Sequence, residues 1–196
     1  MRLIVEGPDG AGKTTLIELL EGMLEVERQP RRVGTDGVAL VDLGEIVQQD
    51  LRDEVLDPTG LRLYDRHPLI SGPIYDPFIH GEFRNHQADP FRMNRLITSL
   101  SKFYEQHNFY IFCLPPLPTV IYNLETNPED QLACFSRDGF IRLHYWAYVN
   151  HAMTIQLGVG DPWTFIYDYT QWTRNEDLKD VLANLIRMFI AGGESR

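Results

Sequence analysis

Cysteine is scarce in this chain of 196 residues: there are two, Cys113 and Cys134. Two thiols make no disulfide framework, and no Cys/His cluster has zinc-site spacing. Long hydrophobic runs are missing as well, none approaching the roughly 18 residues of a membrane span. The opening Met-Arg-Leu-Ile-Val-Glu-Gly has neither the apolar core nor the cleavage site of a signal peptide. There is no low-complexity tract, internal repeat or Gly/Ser linker. Positive charge is also in deficit, with 18 Lys and Arg against 28 Asp and Glu and a formal net charge of −10. Broad binding to a phosphate backbone needs a positive surface, so that class is disfavoured, although a small basic cleft is not. These absences predict a soluble chain in a reducing, cytoplasmic compartment with no membrane partner.

What is present is the composition of a folded domain, 43% hydrophobic and 23% charged. The length suits a single domain spanning 1–196. Leu3-Ile4-Val5 is a short apolar run of the kind buried on both faces of a parallel sheet. Leu16, Leu19, Leu20, Met23 and Leu24 then fall on one helical face. Further strands are expected at Arg31–Val33, Leu61–Tyr64, Phe109–Leu114 and Trp163–Tyr167. Helices are expected over Val41–Leu56, Phe91–His107, Thr119–Glu125, Phe140–Leu157 and Asn175–Ile190, the last capped by Asn175. Ser71–Pro90, with its prolines and glycines, reads as loop with short helical pieces. Strands alternating with helices indicate an α/β fold with a mainly parallel sheet, whose ligands bind beyond the carboxyl ends of the strands.

Three of those strand ends carry chemistry. Gly7-Pro8-Asp9-Gly10-Ala11-Gly12-Lys13-Thr14 satisfies G-x-x-x-x-G-K-[ST] between a predicted strand and an amphipathic helix. Glycines let the backbone curl so that successive N–H groups face phosphate oxygens, and the helix adds its positive end. Gly7, Gly10, Ala11, Gly12, Lys13, Thr14 and Thr15 are therefore the expected nucleotide contacts. Lys13 would reach the β- and γ-phosphates and the Thr14 hydroxyl would sit on Mg²⁺. At the second strand end, Asp65 suits either a magnesium ligand or a base for an acceptor hydroxyl, and Arg66 suits phosphate. Read alone, the two are sooner a surface pair closing a turn; beside the Gly7–Thr14 loop they read as functional. His67, before Pro68, reads as a hydrogen-bonding residue of that turn. Ser71, Tyr75, Asp76 and Arg84 could form a lid over an acceptor. The third strand end is Asp168-Tyr169-Thr170.

The segment Glu6-Gly7-Pro8-Asp9-Gly10-Ala11-Gly12-Lys13-Thr14-Thr15 resembles the opening of the thymidylate kinases, with their E-G-x-D-G-A-G-K-[ST]-T loop, and Asp65-Arg66-His67 resembles their D-R-[YF/H] turn. The resemblance implies a P-loop nucleotide kinase: a three-layer sandwich with a five-stranded parallel sheet and a small lid, roughly 126–142. It implies ATP and Mg²⁺, and phosphoryl transfer to a deoxypyrimidine nucleotide or nucleoside. Asp9 would lie near the acceptor, Arg66 near the transferred group, and Asp168 beside the adenine. Arg137 and Arg142, flanking Gly139 after a segment opening at Gln131, fall where related kinases place lid cations; they read equally as solvated arginines near a helix start. Tyr167 or Tyr169 could stack on a base, although Tyr167 reads first as a core tyrosine, and Tyr145, Trp146 and Tyr148 read first as helix packing. A homodimer is left open.

Where thymidylate kinases carry a T-R-E-P-like segment, this chain reads Glu27-Arg28-Gln29-Pro30-Arg31-Arg32. The set also resembles phage-type P-loop kinases, some of which phosphorylate 5-hydroxymethyluracil in DNA. That makes DNA an alternative substrate, and the compartment the host cytoplasm if the chain is phage-encoded. A third reading is a P-loop ATPase or switch without an acceptor; no N-K-x-D guanine motif is present.

Overall fold

The computed structural model describes residues 1–29, 50, 52–53, 55–57, 60–79, 108–127, 138–158, 163–172 and 175–194. Its elements in chain order are β1 (Arg2–Glu6), α1 (Lys13–Leu24), β2 (Arg28–Gln29), β3 (Arg62–Asp65) and α2 (Pro68–Ile79). They continue with β4 (Asn108–Cys113), α3 (Leu117–Thr126), α4 (Asp138–Gly158), β5 (Trp163–Tyr167) and α5 (Asn175–Glu194). A 3₁₀ turn, Tyr169–Gln171, follows β5.

All five strands pair in parallel, in the order β2-β3-β1-β4-β5. Strands β1 and β4 are central and buried along their whole length, as their unbroken apolar runs require. Side chains alternate across the sheet. Leu3 and Val5 face a layer with Leu16, Leu20, Leu182 and Phe189 of α1 and α5. Ile4 faces the other layer, with Ile70, Val120, Tyr145 and Tyr148 of α2, α3 and α4. Each Leu, Ile or Phe so buried contributes about 1.5–3 kcal/mol. The result is the expected three-layer α/β sandwich.

Several elements differ from the sequence reading. Strand β2 lies at Arg28–Gln29, whereas Arg31–Val33 falls outside the described residues. The expected loop from Ser71 onward begins instead as helix α2, in spite of Gly72, Pro73 and Pro77. Leu69, Ile70 and Ile74 share one helical face and are buried, and that packing outweighs the local cost of the breakers. Helix α4 starts at Asp138, so Gly139 and Arg142 are helical. Helix α5 starts at Asn175 itself and runs to Glu194. The expected helix at Phe91–His107 and most of that at Val41–Leu56 lie outside the described residues, although Asp50 and its described neighbours to Leu56 are helical. Among the described residues no helix is long and apolar enough to cross a membrane.

Candidate functional site

The loop between β1 and α1 has the shape a phosphate cradle needs. Gly7, Gly10 and Gly12 take φ of +146°, +73° and +80°, which L side chains adopt rarely. Gly12 caps α1 in the left-handed conformation, and Lys13 is the helix's first residue. Thr14 and Thr15 are exposed in its first turn, where unpaired N–H groups and the helix dipole attract anions. The Lys13 ammonium is buried and donates to the Pro8 carbonyl at 2.5 Å. Burial, and then the Arg66 guanidinium beside it, pull its pKa down to about 8. It remains a cation at neutral pH.

Sheet register brings the second motif to the loop. Val5 pairs with Asp65, and the Arg66 N–H donates to the Val5 carbonyl at 2.9 Å. Arg66 itself is left-handed, with φ +67°, and its guanidinium forms an ion pair with the Asp9 carboxylate. Burial pushes the Asp9 carboxyl up, but Arg66 and then Lys13 outweigh it and hold the group below the usual range. Lys13, Asp9, Arg66 and the buried Asp65 thus gather at the carboxyl ends of β1 and β3.

Glu6, Asp50 and His144 were not singled out from the sequence as functional. Glu6, wholly buried at the end of β1, accepts from the His67 N–H at 2.6 Å. His67 Nδ1 accepts from the Leu69 N–H at 3.3 Å, so the proton sits on Nε2, which donates to Asp50 Oδ2 at 2.8 Å. His67 therefore fixes the turn, as its place before Pro68 suggested. Asp50 Oδ1 also accepts from Tyr64, and its carbonyl from the buried Arg2. His144 of α4, almost fully buried, lies in the field of Asp9, Arg66 and Lys13. Burial first, then the two cations, take its pKa down to about 3, so it is neutral at working pH. A lone buried histidine gives no sequence signal; only the packing of α4 places it here.

Burial drives the Glu6 carboxyl up to about 7, against the lowering by the His67 N–H, Arg66 and Lys13. A carboxyl whose folded value exceeds its unfolded one stabilises the fold below pH 4.5, and that stability is lost as pH rises through 7. Glu6→Gln keeps an acceptor for His67 and removes the titration. Between pH 4.5 and 8 the wild type should lose on the order of 3 kcal/mol relative to this variant. Parallel denaturation curves at both pH values would show an ordinary carboxyl.

The other predicted residues fall as follows. Asp168 is half-buried, and both its oxygens hold the 3₁₀ turn. Oδ1 accepts from Thr170 N–H and Oγ1 at 2.9 and 2.6 Å, and Oδ2 from Gln171 at 2.8 Å. Tyr167 is core, as are Tyr145 and Tyr148, while Trp146 is exposed. Tyr169 lies against Gly12. Ser71, in the first turn of α2, donates its Oγ–H to the carbonyl of His67 just before the helix. Arg142 is exposed on α4. Arg137, Gln131 and Arg84 lie outside the described residues, as does 128–137 of the expected lid.

No family model matches the chain, and comparison with curated proteins gives no match. Solved structures do match. One is the YorR protein of Bacillus subtilis in complex with phosphorylated GDP, at 14% identity, TM-score 0.58 and 96% of both chains covered. A second is deoxyadenosine kinase from M. mycoides with bound dCTP, at 16% identity and TM-score 0.55, covering 96% of this chain and 100% of that one. The same enzyme with dATP gives 16% identity and TM-score 0.50 over 95% and 100%. At such identities the likeness is one of fold, and the fold is that of the P-loop kinases: a five-stranded parallel sheet with the Gly7–Thr14 loop at its centre.

Proposed function

We propose that the chain is an ATP-dependent kinase of the thymidylate-kinase kind, transferring the γ-phosphoryl group to a deoxypyrimidine nucleotide or nucleoside. The observation that carries this reading is the meeting of the Gly7–Thr14 cradle with the Asp9–Arg66 pair at one end of the sheet. A cradle alone suits any triphosphate-binding protein; an arginine and two carboxylates beside it suit transfer to an acceptor. That the fold neighbours hold dCTP, dATP or a phosphorylated GDP is consistent with a nucleotide or nucleoside ligand.

Magnesium fits the donors present. Among the described residues no cluster of three metal-ligating side chains exists, and Mg²⁺ asks for none, taking one or two protein oxygens besides phosphates and water. The exposed Thr14 hydroxyl and the Asp65 carboxylate would supply them. Bound with ATP, the ion would neutralise charge on the phosphates.

In this reading the loop amides and Lys13 hold the triphosphate, and Asp9, Asp65 and Arg66 align the acceptor oxygen. The acceptor oxygen bonds to the γ-phosphorus as the bond to the bridging oxygen breaks, leaving ADP and needing no covalent enzyme intermediate; a hydroxyl acceptor would give up its proton to the Asp65 carboxylate, whereas a phosphate acceptor has none to lose. Arg137 and Arg142 would stabilise the charge spread over the equatorial oxygens. Changing either to alanine should lower kcat by about tenfold or more while moving the ATP affinity less. Unaltered turnover in both variants removes the lid assignment.

Radiolabelled ATP offered to dTMP, thymidine and hydroxymethyluracil-containing DNA tests the whole reading. Label on dTMP or thymidine supports it. Label on DNA alone replaces it with the DNA-kinase reading, which the arginines from Arg28 onward would favour, although Arg28 is engaged by Glu21 at 3.0 Å. Phosphate released with no labelled acceptor indicates an ATPase.

A further inference from the structure

Helix α3 and the turn after β5 contribute no residue to the transfer chemistry above, yet both grip the phosphate loop. At Gly10 a Cβ would lie 2.9 Å from Leu124 Cγ and 3.1 Å from the Val120 carbonyl oxygen. At Gly12 a Cβ would lie 3.1 Å from the Tyr169 ring. Between these contacts stands Asn123. Its Nδ2 donates to the Gly10 carbonyl at 2.7 Å and to the Tyr169 hydroxyl at 2.7 Å, so both amide hydrogens are used.

The arrangement has a physical purpose in a phosphate cradle. Loop N–H groups must point inward at the anion, so their carbonyls must point outward and be satisfied there. An outward carbonyl without a donor would be free to turn back and meet the phosphate with the wrong sign. Asn123 supplies the donor for Gly10. Tyr169 orients Asn123 by accepting its second hydrogen, and lays its own ring over Gly12.

We propose that Asn123 and Tyr169 form a clamp that holds the Gly10–Gly12 segment in its phosphate-binding shape, making them positioning residues for the polyphosphate chain of the nucleotide. The inference rests on the proposed nucleotide-binding function and adds to it two residues outside the loop motif. The clamp acts on the phosphates and not on the base, so its loss is felt equally by a ligand that has no base.

The test is calorimetric affinity for Mg·ATP and for Mg·tripolyphosphate in wild type, Asn123→Ala, Tyr169→Phe and the double variant, with melting curves to confirm folding. Asn123→Ala should weaken both ligands by about tenfold, the scale of one lost hydrogen bond. Tyr169→Phe, which keeps the ring over Gly12, should weaken both by about threefold. The double variant should be no weaker than Asn123→Ala, because the two act as one unit. In turnover, KM for ATP should rise more than kcat falls. Affinities within twofold of wild type in both variants overturn the clamp. Should Asn123→Ala not fold, unchanged affinities in Tyr169→Phe overturn it. Loss confined to Mg·ATP also overturns it, by assigning the pair to the base. Wild-type protein that binds neither ligand overturns the proposed function and the clamp's purpose with it, an outcome distinct from unchanged variants.

Discussion

Replacing Lys13 with alanine should cut phosphoryl transfer by roughly a thousandfold while leaving the fold in place, in line with the loss of a preorganised charge from a water-poor site. The residue lies at the junction of loop and helix, buried, with its ammonium turned back over the loop to the Pro8 carbonyl. No neutral side chain can offset the charge that gathers on the transferred oxygens. The fold should tolerate the change because the ammonium is costly to bury: its pKa is drawn down to about 8 by burial and by Arg66. Losing it relieves that cost and leaves β1 and α1 packed through Val5, Leu16 and Leu20. The depressed pKa adds a pH signature. Below 8 the ammonium is charged and the cradle is ready; above it, binding of the triphosphate must first recover a proton. Affinity of the wild type for Mg·ATP should therefore fall between pH 7.5 and 9, with proton uptake visible in buffers of different ionisation enthalpy. A Lys13→Ala protein with wild-type turnover, or an affinity flat across that range, contradicts the assignment.

Gly7→Ala should be the most damaging change among the three glycines of the loop, Gly7, Gly10 and Gly12. A Cβ at Gly7 would stand 2.5 Å from the Cys113 carbonyl oxygen, which belongs to the backbone of central strand β4 and cannot move aside. The φ of +146° adds strain for any L residue. Together the clash and the strain should cost about 3 kcal/mol, which lowers Tm by roughly 10 °C in a chain of this size. Gly22→Ala is the matched control. Nothing lies within 4 Å of a Cβ there, in the body of α1, and alanine is the better helix former. That variant should gain about 0.5–1 kcal/mol. Thermal melts of the pair decide the matter, since equal shifts in the two would show that the loop holds no such constraint.

The opening of the fold, from β1 through α1, was legible because its signals are local and agree with one another. The apolar run Leu3–Val5, the glycines and the spacing from Leu16 onward each require strand, loop and helix in that order. Strand β5 was legible for the same reason, at Trp163–Tyr167. Helix α2 was not, because Gly72, Pro73 and Pro77 argue locally for a loop and only the burial of Leu69, Ile70 and Ile74 reverses them. The site divides in the same way. Lys13 and Arg66 stood out by residue type and strand end, and Asp9 through the resemblance of its loop to that of the thymidylate kinases. Asn123 did not: it meets Gly10 across 113 positions of sequence, and nothing in Tyr122-Asn123-Leu124 marks its amide as a loop clamp. Glu6 read as the end of a strand, and its raised carboxyl comes from burial that only the folded sheet supplies.

The chain of bonds from Arg2 through Asp50 to His67 spans the sheet from its amino-terminal edge to the turn that carries Arg66. Each link is buried, so water offers no substitute for a severed one. Damage at the far edge of the molecule is thereby felt at the chemistry. A substitution at Asp50 would unseat Arg66 as surely as one beside it, and a survey confined to the cleft's own lining would miss one of its supports.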